Sequence, residues 1–126
     1  MPNVPDVLRY TADHEWIQTE DSGVLVVGIT DHAQSALGDV VFVELPTVGT
    51  QASEGDVVAV LESTKAASDV YTPIAGEVVE VNTSVAETPE ALNSDPYGSW
   101  LFKIRPTAST EGSKWMSPEQ YVQLTQ

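Results

Sequence analysis

The chain has 126 residues, 41% of them hydrophobic, with 19 Asp and Glu against 5 Lys and Arg, a formal net charge of −14 at pH 7 and no cysteine. That length suits one domain with its own core, here residues 1–126 with a core at about 8–106 and a C-terminal extension at 107–126. The missing cysteine excludes disulfides, thiolate metal sites and a cysteine nucleophile, and the negative field argues against nucleic-acid and membrane-surface partners. No apolar run approaches the roughly 20 residues needed to cross a bilayer. The N-terminal MPNVPDVLRY has neither signal-peptide nor transit-peptide order, so a cytoplasmic protein is expected, or a matrix protein whose leader has been removed. An acidic, mobile monomer that meets partners through their basic patches fits this charge, because electrostatic steering raises encounter rates.

Taken in order, residues 9–20 read as extended structure with apolar Tyr10, Trp16 and Ile17, Asp21-Ser22-Gly23 signals a turn, and Val24 to Ile29 is a strand, so the two runs pair as a hairpin. Asp31 to Leu37 is a helix with Asp31 as its cap, Gln34 in the capping-box position and Gly38 as its stop. The pattern Gly-acid-Val-Val-x-Val then occurs three times, at residues 38–43, 55–60 and 76–81. Each copy reads as a turn glycine leading into a buried strand, the signature of a mainly β unit assembled from similar hairpins. Pro46 and Gly49 punctuate the segment between the first two copies.

Residues 83–98 break the β pattern: Thr88 caps and Pro89 takes the first helical position of a short helix near 88–92, and Asn93-Ser94-Asp95-Pro96 is loop chemistry. WLFKIR at 100–105 is a further strand with Trp100, Phe102 and Ile104 on one face. Residues 107–113 are small and polar and expected to be mobile. Ser117-Pro118-Glu119-Gln120 is a capping box that opens a C-terminal helix near 118–125, presenting Tyr121 and Leu124.

The last two Val-rich copies flank Lys65 almost symmetrically, which suggests two related half-sheets with a lysine hairpin at one end. Lys65 is the only Lys or Arg between Arg9 and Lys103, a span holding sixteen Asp and Glu residues. Val57 to Leu61 and Val70 to Thr72 have strand character, and small or polar residues between them place Lys65 at an exposed tip. Asn-Gly and Asp-Gly are absent, so the turn type stays open. Position alone describes a solvated charge.

Other chemistry finds little support. His14 and His32 lack the companions that a zinc site of about four ligands requires. No phosphate-binding glycine loop or nucleophile elbow is present, and acid pairs mean little in so acidic a chain. Trp16, Trp100 and Trp115 read as core or core-edge residues. No catalytic residue and no metal site are expected.

HEWI, GITDHAQSALGDVVFVELPTVG, ESTKAASDVYTPIAGEVVEVN and NSDPYG before a Trp-initiated strand stand in this order and together span roughly residues 10–106. In these segments the chain resembles the glycine cleavage system H proteins. The resemblance implies a lipoyl/biotinyl-type barrel-sandwich hybrid of two small antiparallel half-sheets. It implies lipoic acid in amide linkage on Lys65, attached by a lipoyl or octanoyl transferase or a lipoate ligase. The implied role is a carrier, not an enzyme, in glycine catabolism and one-carbon metabolism. It takes an aminomethyl group from glycine decarboxylase (P protein) to aminomethyltransferase (T protein) and is reoxidised by dihydrolipoamide dehydrogenase (L protein).

Glu15 and Asp69 match residues of the groove that shelters the loaded arm in this family, and Glu62, Ser63 and Asp69 surround the tip that the lipoylating enzyme reads. The C-terminal stretch is shorter and less acidic than is usual in the family, and a residue common before the Trp matched by Trp100 is missing. A lipoyl relay to other enzymes, a biotin carrier and an unmodified interaction module are the alternatives. Biotin carriers set their lysine between methionines, whereas Thr64 and Ala66 flank Lys65.

Overall fold

A computed structural model describes Pro5, residues 7–107 and residues 115–125. Apart from Thr107, the stretch expected to be mobile lies outside the described residues. The strands are β1 (Arg9–Tyr10), β2 (Glu15–Thr19), β3 (Leu25–Ile29), β4 (Val40–Glu44), β5 (Gln51–Ala52), β6 (Val57–Ser63), β7 (Ala67–Tyr71), β8 (Gly76–Val81) and β9 (Phe102–Pro106). The helices are α1 (Asp31–Leu37), α2 (Thr83–Glu87), α3 (Ala91–Ser94) and α4 (Pro118–Thr125). Among the described residues no helix is long and apolar enough to cross a membrane.

Two antiparallel sheets face each other, as expected, but they are unequal. One has the order β1-β2-β3-β9-β8-β5 and the other β4-β6-β7. Their shared interior is filled by Leu25, Val27 and Ile29 from β3, Ala59 and Leu61 from β6, Val70, Val78, Phe102 and Ile104. Each such side chain, fully removed from water, contributes about 1.5–3 kcal/mol for the Val, Leu, Ile and Phe class.

Strand β3 is covered on both faces. Its even face carries Val26 into a second cluster with Leu8, Tyr10, Trp16 and Tyr121. Gly28 on that face lies under the Trp16 indole, where an added Cβ would stand 2.6 Å from the ring. The Trp16 indole N–H donates to the Pro96 carbonyl at 3.1 Å, which ties β2 to the NSDPYG loop.

Several sequence expectations are corrected at finer grain. Thr30, not Asp31, caps α1: its side chain accepts from Ala33 N, while Asp31 accepts from the Gln34 side chain at 2.7 Å. The helix expected near 88–92 is two short pieces, with Thr88 closing α2 and Pro89 in the turn before α3. Gly38 and Gly55 have φ of 81° and 87°, as turn glycines do, but Gly76 sits inside β8 opposite Pro106. There a side chain would run into the Arg105 carbonyl, so the glycine permits close strand approach instead of a turn. In β4 a register shift between Val40 and Phe42 turns Val41 and Phe42 outward, half or more exposed, so this copy of the repeat is not a buried run.

At the C-terminus the capping box is formed reciprocally. Ser117 N–H donates to the Gln120 side chain at 2.9 Å, and Gln120 N–H to Ser117 Oγ at 3.3 Å. Tyr121 is fully buried and stacks on Tyr10 with ring centroids 4.7 Å apart, whereas Leu124 is exposed.

Candidate functional site

The β6–β7 hairpin is built around Ser63. Its hydroxyl oxygen accepts from Lys65 N–H at 3.2 Å and Ala66 N–H at 3.1 Å, and its backbone N–H donates to the Ala66 carbonyl at 2.8 Å. Neither Thr64 nor Lys65 has positive φ, so the tip is not a primed turn; the serine side chain does the work an Asn-Gly pair would do. Thr64 N–H also donates to the Asp39 carbonyl at 3.1 Å, pinning the tip to the segment that follows α1.

Lys65 is exposed and makes no ion pair among the described residues, whereas Lys103 pairs with Glu20 at 3.0 Å. Its aliphatic stem rests on Gly38: a Cβ there would lie 3.0 Å from Lys65 Cε. Gly38 has φ 81° and ψ −158°, a region that is essentially glycine-only. The same corner is clamped by Asn93. It donates to the Gly38 carbonyl at 2.8 Å and to the Gln34 side chain at 3.1 Å, and it accepts from Val40 N–H at 2.9 Å.

Beside this corner runs a groove of about 240 Å³ between α1 and the β6–β7 hairpin. Ala33, Ala36 and Leu37 present one face of α1 to it, at the helical spacing i, i+3, i+4, and Leu61, Val70 and Ile29 complete the apolar floor. The polar lining is Asp13, His14, Glu15, Ser68 and Asp69. Its volume is below the roughly 300–1,000 Å³ of ordinary small-molecule pockets, which suits a slender tethered chain.

The structure therefore brings Glu15 and Asp69 to one groove but gives them different environments. Glu15 is 2% exposed. It accepts from Tyr71 N–H at 2.7 Å and from the Thr11 hydroxyl at 3.1 Å. Burial pushes its pKa up to about 8, against the opposing effect of those two hydrogen bonds. Asp69 is exposed, opposite Val60. Glu62 is exposed on β6 between Phe42 and Ala67 and does not line the groove. Ser63 acts on the backbone of the tip.

His14, Gly38 and Asn93 are the residues that sequence reasoning missed at this site. From sequence His14 reads as a histidine without the companions of a metal site, Gly38 as a helix stop and turn glycine, and Asn93 as loop chemistry. The positive φ of His14, 66°, is invisible in the sequence, and the Asn93 partners are more than fifty residues away.

A pair of facing antiparallel sheets that holds one lysine out on a pinned hairpin, with an apolar groove at its foot, is the build of a carrier of a tethered group. The profile of the glycine cleavage H-protein family matches residues 8–126, and the chain belongs to this family, the lipoyl carriers of the glycine cleavage system. It is 54% identical over 124 residues to a glycine cleavage system H protein of Burkholderia ambifaria, covering 98% of both chains. It is 53% identical over 119 residues to one of Paraburkholderia phytofirmans, covering 94% of both. The crystal structure of a glycine cleavage system H protein from Mycobacterium marinum superimposes with a TM-score of 0.86 at 42% identity, over 95% of this chain and 97% of that one. These relatives are spanned almost end to end.

Proposed function

We propose that Lys65 is the attachment point of a lipoyl group and that the groove beside it shelters the loaded arm. The observation that carries this reading is the exposed Lys65, without an ion pair among the described residues, lying across Gly38 at the end of an apolar groove whose wall holds one buried carboxylate. The residues present fit such a group: Leu37, Leu61 and Val70 match its hydrocarbon chain, and Glu15 matches a cationic end. When bound, the group supplies a disulfide and dithiol pair able to take up an aminomethyl group and then to be reoxidised.

The chain's own residues do the rest. Ser63 and the Thr64–Asp39 link hold the tip rigid, so that partners meet Lys65 in one orientation. Glu15 keeps its proton while no cation faces it, which avoids a buried unpaired charge, and an arriving ammonium would favour the carboxylate through a charge-assisted hydrogen bond. Asp69, at the exposed side, offers a second carboxylate nearer to solvent. Glu62, Ser63 and Asp69 give the tip the charge and shape that a lipoyl or octanoyl transferase or lipoate ligase reads.

In this reading the chain is a monomeric, cytoplasmic carrier acting as one unit over residues 1–126, and it catalyses nothing alone. It moves the aminomethyl group from glycine decarboxylase to aminomethyltransferase and is reoxidised by dihydrolipoamide dehydrogenase. The family match favours a lipoyl over a biotinyl arm. The mass of the Lys65 peptide from the native host distinguishes the two, and a peptide without an adduct would reject both.

A further inference from the structure

The groove's polar wall is wired to the C-terminal helix. His14 Nδ1 lies 2.8 Å from the Tyr121 hydroxyl, which lies 2.7 Å from Thr30 Oγ1, which in turn accepts from Ala33 N–H at 3.2 Å as the cap of α1. The direction of the protons along this chain follows from the cap. Thr30 is fully buried, and Tyr121 Oη is the only acceptor within reach of its hydroxyl hydrogen among the described residues. Were Tyr121 to donate to Thr30, that hydrogen would be stranded, at a desolvation penalty natural structures avoid. Thr30 therefore donates to Tyr121, Tyr121 donates to His14 Nδ1, and the neutral imidazole carries its proton on Nε2.

The surroundings keep both groups in these forms. Burial, then the neighbouring His32 ring 4.5 Å away, push the His14 pKa down, opposed by Asp13. Burial pushes the Tyr121 pKa up to about 12, so it keeps the proton it donates. The His14 backbone is held in its left-handed conformation by its N–H to the Thr11 carbonyl and by Thr30 N–H to its own carbonyl, both 3.1 Å.

We propose that Tyr121 is a positioning residue that fixes His14 as a neutral Nε2–H donor at the groove, where it receives the electron-rich sulfur of the opened arm while adjacent Glu15 receives the ammonium. This rests on the reading of Lys65 as a lipoyl site. The opened, loaded arm ends in two groups of opposite character, a free thiol or thiolate and an aminomethyl cation. Consecutive residues of the groove wall offer a donor for the first and an acceptor for the second.

The test begins with the unlipoylated full chain, labelled with 15N-histidine. Long-range proton–nitrogen NMR should give the Nε2–H tautomer for His14, and Tyr121→Phe should populate both tautomers in a chain that still folds. An Nδ1–H tautomer in the parent chain, or populations untouched by Tyr121→Phe, overturns the proposal. In the lipoylated chain, chemical reduction of the arm should shift the His14 Nε2–H resonance, and an unmoved resonance overturns the donor role. His14→Asn tolerates the left-handed backbone and should shorten the lifetime of the aminomethyl-loaded form about three- to tenfold, the worth of one hydrogen bond. An unchanged lifetime overturns the proposal. An unmodified Lys65 in protein from the native host sinks the lipoyl reading instead, and the tautomer measurement on unmodified chain tells the two failures apart.

Discussion

Tyr71 donates its backbone N–H to the Glu15 carboxylate across 2.7 Å although 56 residues separate them, so the last residue of the lysine hairpin is fastened to the first residue of β2. That bond crosses from the smaller sheet to the larger and places an ionisable group, 2% exposed, against the groove. The consequences of this one contact reach both stability and carrier function.

The pH dependence of folding should carry the signature of Glu15. Its folded pKa of about 8 lies above the ordinary 4.5, so between those values the native state binds a proton that the unfolded chain has lost. Stability contributed by this group is fully present below pH 4.5, falls as pH rises through the window and levels off beyond about 8. Glu15→Gln should flatten the decline in Tm between pH 5 and 8.5, and an equally steep profile in the variant would assign the slope to other groups.

Lys65→Arg should leave folding almost untouched, within about 0.5 kcal/mol, because the side chain is exposed and makes no ion pair among the described residues. It should also abolish the mass increment of the modified protein and glycine breakdown in a reconstituted system. Retained glycine breakdown would remove the attachment-site assignment.

Gly38→Ala should destabilise the chain by about 1–3 kcal/mol in denaturant titration, the range for a non-glycine residue held in such a backbone region. The new methyl would also meet the Lys65 stem, so the rate of enzymatic modification should change with it. A neutral substitution would show that the α1 corner relaxes freely.

Asn93→Ala removes three hydrogen bonds that join α1, the Gly38 carbonyl and β4, and should cost about 2–4 kcal/mol. Because the clamp sits under the lysine tip, hydrogen exchange should accelerate at Val40 and Thr64 before it does at Val27. Uniform acceleration would mean that Asn93 supports the whole fold and not this corner.

Glycines 28 and 38 mark the limit of what could be read from the chain alone. The local signals were legible: the Val-rich copies gave β4, β6 and β8, the charge isolation of Lys65 singled out the hairpin, and Ser117 with Gln120 announced α4. Near the lysine the start of β6 at Val57 is legible, but β6 runs on to Ser63 and β7 begins at Ala67, three residues before the expected Val70, because Ala67, Ser68 and Asp69 pair with Glu62, Leu61 and Val60. Where structure and local signal differ, the deciding partner is distant. Thr30 displaced Asp31 as the cap of α1, where Thr30 also meets Tyr121. Gly76 became a strand residue because β9 presses against it.

The sequence by itself determined the alphabet of this protein: strand runs with period two, turns set by Gly, Pro and Ser, and one cation left alone in an acidic span. Those are properties of neighbours along the chain, and local backbone preference and charge count express them directly. Only the tertiary structure decided that Glu15 is buried with its pKa pushed up to about 8, that the His14 ring meets the Tyr121 hydroxyl from the far end of the chain, and that α1 supplies a groove wall. Burial and hydrogen bonding between residues up to 107 positions apart exist only once the sheets have closed on each other, and desolvation, the force that sets those states, has no counterpart in the extended chain.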